Sequence, residues 1–66
     1  MRIRINVGRI KADMAAKNLT IMEVSKQTGI NRSYFGRILK DGLCSAFMLG
    51  KIAKVLGIPV WELVDK

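Results

Sequence analysis

The residues best suited to chemistry in this 66-residue chain lie between positions 31 and 40. At helical spacing, Asn31, Arg32, Ser33, Gly36, Arg37 and Lys40 share an outer face, while Tyr34 or Phe35, Ile38 and Leu39 turn the other way. The outer face is basic, rich in hydrogen-bond donors and free of carboxylates. Its chemistry is recognition rather than turnover. A guanidinium can pair in bidentate fashion with O6 and N7 of guanine, and an ammonium can meet a phosphate. Nothing in the sequence suggests catalysis. There is no His, one Cys, and five scattered carboxylates: Asp13, Glu23, Asp41, Glu62 and Asp65. They offer no paired acid, no triad, no metal-ligand spacing and no phosphate-cradling glycine loop. An enzyme, a cofactor, a metal and a small-molecule ligand are therefore not expected.

Such a face must be held out by a rigid support, and the preceding residues supply one. Thr20 and Glu23 form a Thr-x-x-Glu capping box that starts a helix at Ile21. Val24, Ser25 and Thr28 give that helix an inward face, with Ser25 small enough for a close crossing. Gly29 supplies the permissive backbone of a tight turn, Ile30 plugs the corner, and Asn31 caps the next helix. Two short helices joined this way present the second one as a probe that fits a DNA major groove.

Five segments carry a resemblance that covers nearly the whole chain. They are Arg9-Ile-Lys with Asn18-Leu-Thr20, Val24-Ser25 with Thr28-Gly-Ile-Asn-Arg-Ser33, Arg37-Ile38, Asp41-Gly42, and Lys51-Ile-Ala-Lys-Val-Leu-Gly-Ile58 with Glu62-Leu63. Each alone is a weak signal, but in this order and spacing the chain resembles the Cro/C1-type, or Xre-like, helix-turn-helix regulators. Two positions depart from the family pattern: Ile21 stands where Gln is usual, and Leu39 where an acid is common. The resemblance implies an all-α, five-helix, lambda-repressor-like bundle. It also implies a transcriptional regulator, often a repressor, of bacterial, phage or mobile-element origin. Arg32, Ser33 and Arg37 match the family's base-reading positions.

Composition agrees with a polyanionic partner. The net charge is +7 and the isoelectric point 10.2, which suits nucleic acid or an acidic membrane surface; charge kept only for solubility is the bland alternative. A membrane is disfavoured because the apolar residues close several helices into a core instead of forming one open stripe. No apolar run approaches the roughly 20 residues needed to span a bilayer, and no signal peptide is expected. Cys44 is read as a free, reduced thiol, and the location as cytoplasmic, on the nucleoid.

The whole chain, 1–66, reads as one domain, with 1–6 as a strand or arm. Ile3, Ile5 and Val7 alternate with Arg2, Arg4 and Asn6, which is strand periodicity. Three readings stay open: pairing with the same segment of a second subunit, a basic arm, or a terminus covering the core edge. Asn6 caps a first helix over about 7–17, with Val7, Ile10 and Met14 on one stripe. Ser45 caps a fourth helix with Ala46, Leu49, Ile52, Ala53 and Leu56 inward and Gly50 allowing a close neighbour. Gly57 stops it, and Pro59 to Val64 reads as a last short helix with Val60 and Leu63 inward.

The expected DNA contacts divide by role. Arg32 and Arg37 read bases, with phosphate contact or plain solvation as the alternative. Asn31 is a cap first. Tyr34 offers its hydroxyl to phosphate or simply closes the core, and Lys17 and Lys40 meet phosphates. Thr20 and Ile21 sit at a helix head that attracts a phosphate through its free N–H groups and dipole. Phe47, Met48 and Trp61 are apolar where a surface is expected. With Ile3 and Ile5 they are assigned to a homodimer that would space two reading helices about one DNA turn apart. The competing reading is a helical protein-interaction module that uses the Phe47/Met48/Trp61 patch.

Overall fold

The computed structural model describes residues 1–65. In chain order it comprises strand β1 (Arg2–Arg4), helices α1 (Val7–Ala16), α2 (Ile21–Thr28) and α3 (Arg32–Asp41), strand β2 (Leu43–Ser45), helix α4 (Ala46–Leu56) and a 3₁₀ turn (Val60–Leu63). The architecture is thus mostly helical, with four α-helices rather than five. The segment after Pro59 is too short for an α-helix and closes as one tight turn.

Local signals set the helix ends. Asn6 Oδ1 accepts the Arg9 N–H at 3.0 Å, Thr20 Oγ1 the Glu23 N–H at 3.1 Å, Asn31 Oδ1 the Ser33 N–H at 2.8 Å, and Ser45 Oγ the Met48 N–H at 3.1 Å. Glu23 Oε1 returns the favour by accepting the Thr20 N–H at 2.9 Å, completing the capping box. Gly29, Gly42 and Gly57 end α2, α3 and α4 in the left-handed conformation.

One core unites the elements. Ile10, Val24, Phe35, Leu49, Ile52, Leu56 and Leu63 are all fully buried. Phe35, not Tyr34, is the inward aromatic of α3, and Tyr34 lies half-buried against the cluster. Two inward assignments and one close approach fail. Ala46 and Val60 are exposed, and a β-carbon at Gly50 would meet nothing within 4 Å, so Gly50 accommodates no close neighbour. Ala46 is the first residue of α4.

The N-terminal strand finds its partner within the chain. β1 pairs antiparallel with β2, matching Arg2 to Ser45, Ile3 to Cys44 and Arg4 to Leu43. Ile5 N–H donates to Gly42 O at 2.9 Å and Asn6 N–H to Leu63 O at 2.7 Å, while Asp65 N–H donates to Arg4 O at 2.9 Å. β1 is therefore clasped between the exit of α3 and the end of the described chain. The ladder partner of β1 is thus β2 of the same chain, where the sequence also allowed the same segment of a second subunit. Ile5, 3% exposed, belongs to the core and not to a dimer interface, and Ile3 packs half-buried beside it.

Candidate nucleic-acid interface

The α2–α3 corner is built from its side chains. Thr28 is buried, and its hydroxyl donates to Val24 O at 2.7 Å while accepting the Ile30 N–H at 3.2 Å. The Gly29 N–H closes on Ser25 O at 2.8 Å with φ at 78°, a conformation costly to a residue with a β-carbon. Ile30, 5% exposed, fills the corner. The Ser25 Oγ atom is buried without a hydrogen-bond partner among the described residues, a cost accepted where the helices cross closely. These contacts fix the direction in which α3 leaves the turn.

On α3, Phe35, Ile38 and Leu39 are buried, whereas Arg32, Ser33, Arg37 and Lys40 are exposed. Ser33, Arg37 and Lys40, at spacings of four and three, form the stripe opposite the core. Arg32 and Gly36 lie on the flank nearer α2. A helix with its side chains is about 10–12 Å across, and the B-DNA major groove about 12 Å wide. The helix runs one residue past Lys40, so the exposed Asp41 adds a carboxylate at the far end of the face.

Electrostatics leave this face ready for an anion. Among the described residues the only ion pairs are those of Arg9, with Asp13 at 2.8 Å and Glu62 at 2.9 Å. Donating to Asp13 and then to Glu62 raises the Arg9 pKa, so this cation ties α1 to the 3₁₀ turn. Arg32, Arg37 and Lys40 enter no ion pair with another described residue.

The structure brings Asn31, Arg32, Ser33, Arg37 and Lys40 together on one helix, with Tyr34 half-buried at its side. Thr20 and Ile21 stand beside them: Ile21, 40% exposed, lines the same shallow recess as Leu39 of α3. The Ile21 and Met22 N–H groups stand outside the internal ladder of α2 and can donate to a phosphate oxygen, while the Glu23 N–H is taken by the Thr20 cap. Lys17 is directed elsewhere. A β-carbon at Gly57 would lie 3.8 Å from Lys17 Nζ, so the ammonium sits at the C-terminal end of α4, where the helix dipole attracts it. Lys11 was not singled out from the sequence, yet it borders the Ile21–Leu39 recess; only its charge could have signalled this. Phe47 and Trp61 are 74% and 68% exposed, but Met48 packs half-buried on the core, so the apolar patch loses its middle member. Lys51 Nζ sits 4.8 Å from the Phe47 ring centroid.

Two short helices locked through a left-handed glycine, the second carrying an unpaired basic face, define a helix-turn-helix DNA-binding domain. Residues 9–65 match the family model for the Cro/C1-type HTH DNA-binding domain, and the chain belongs to that family. No curated protein and no solved structure matches the chain. Among the described residues, no helix is long and apolar enough to cross a membrane.

Proposed function

We propose that this DNA-binding regulator recognises a specific double-stranded operator, with α3 in the major groove, and acts as a repressor by occupying a promoter. Arg32 and Arg37 read bases together with Ser33, Lys40 holds a phosphate, and Asn31 and Tyr34 support the contact from the helix start. Thr20 and Ile21 bring the head of α2 to the backbone, and Lys17 reaches it by leaving Gly57. The observation that carries this reading is the α3 face itself: three cations exposed on one helix, none paired with a described carboxylate.

The operator-bound form is a homodimer, supported by the exposure of Phe47 and Trp61 on a domain this small. Its two α3 helices would then contact half-sites about 34–36 Å apart. The protein works in the cytoplasm, on the nucleoid, without a cofactor or ligand. The same two aromatics also favour a second reading, an interaction module for another protein, in which α3 charge is dispensable.

Selection of bound duplexes from a random pool, followed by sequencing, tests the proposal. Enrichment of inverted half-sites separated by about one helical turn is expected. Recovery of unselected sequence would reject specific recognition, and enrichment of a single half-site would reject the dimer.

A further inference from the structure

The two flanks of α3 are built differently. Leu39 faces the side shared with Ile21 and Lys11, at the head of α2. Asp41, two residues on and so about 200° around the helix, faces a recess lined also by Arg4, Gly42, Leu43 and Asp65. The β1–β2 ribbon thus borders α3 on the side away from α2. In β1, Ile3 turns towards the core while Arg2 and Arg4 are exposed, so strand alternation sends both guanidinium groups off the outer face of the ribbon. The register against Ser45 and Leu43, and the Ile5 bond to Gly42 O, hold that face beside the α3 exit. Neither arginine is ion-paired among the described residues, although Asp41 and Asp65 share the recess with Arg4.

We propose that the Arg2/Arg4 face of this ribbon is a second phosphate-contact surface, meeting the DNA strand on the side of α3 opposite the head of α2. A helix lying in a groove has a phosphate wall on each side. The N–H groups of α2 meet one wall, and the ribbon supplies cations for the other. The arginines carry affinity and not sequence preference, because phosphate contacts are the same at every base pair. This assignment rests on the groove-binding reading of α3.

The test compares wild type, R2Q/R4Q and R2K/R4K on a mixed-sequence duplex across a range of potassium chloride concentrations. Each lost phosphate contact flattens the slope of log affinity against log salt by about 0.9. R2Q/R4Q is expected to flatten it by about 1.8, with its melting temperature kept, and R2K/R4K to restore it. Over a rise from about 50 to 200 mM salt, the glutamine variant would then lose about tenfold less affinity than wild type. An unchanged slope, or a loss that lysine does not restore, overturns the ribbon contact while wild-type binding leaves the α3 reading in place. Absence of any wild-type affinity for DNA overturns both.

Discussion

Lys40 and Cys44 are four residues apart and answer to opposite physics. Lys40 is exposed at the end of the α3 stripe, where an ammonium adds affinity without reading sequence. Lys40→Ala is expected to weaken binding to operator and random duplex alike and to flatten the salt slope by about 0.9; filter binding across salt concentrations checks this. Cys44, 1% exposed, is pressed between β1 and the core. Burial pushes its thiol above the ordinary value of 9.0, and the nearby Arg2 charge only partly offsets this. The folded protein therefore holds the thiol proton more tightly than the unfolded chain does. That contribution is complete below the unfolded value and is lost as pH climbs through the folded one. Iodoacetamide should label Cys44 slowly until the protein unfolds, and urea midpoints should fall with alkaline pH more steeply in wild type than in Cys44→Ala.

At the scale of elements, caps and turns decide where α3 points. Thr20→Ala removes the acceptor for the Glu23 N–H and opens the capping box, at a cost of about 1 kcal/mol. In a domain of this size the melting temperature is expected to drop by about 4–8 °C, measured by circular dichroism. These caps were legible in the sequence because Asn, Thr and Ser act on residues two or three positions away, with no help from the fold. Gly29 was legible for the same reason. The ribbon was only half legible. Alternation from Arg2 to Val7 announced a strand, but Leu43-Cys44-Ser45 is too short to show a period, so its partner stayed hidden until Gly42 turned the chain back. Val60 misled because stripe arithmetic assumes regular helix there, and Gly50 because a small residue permits a close neighbour without requiring one. The 3₁₀ turn rotates Val60 outward, and no element lies over Gly50.

For the molecule as a whole, the stripe of α3 was readable from spacing alone, since burying Phe35, Ile38 and Leu39 forces Ser33, Arg37 and Lys40 outward. The position of Lys17 was not, because it depends on where α4 ends in space. Clasping β1 between β2 and residues 63–65 draws Ile5 into the monomer core and leaves Phe47 and Trp61 as the large aromatics open to a second subunit. Phe47→Glu and Trp61→Glu are each expected to shift sedimentation towards the monomer while the circular dichroism spectrum is kept. Unaltered sedimentation of a dimeric protein would place the interface elsewhere.

Sequence reading by α3 stands or falls on Arg37→Ala. Wild type and variant are titrated against the selected operator and a scrambled duplex of the same composition, at one salt concentration. If Arg37 pairs with a base, the variant loses about 1–3 kcal/mol on the operator and much less on the scrambled duplex, narrowing the gap between them. Equal losses on both duplexes, or none on either, would contradict base reading by this helix.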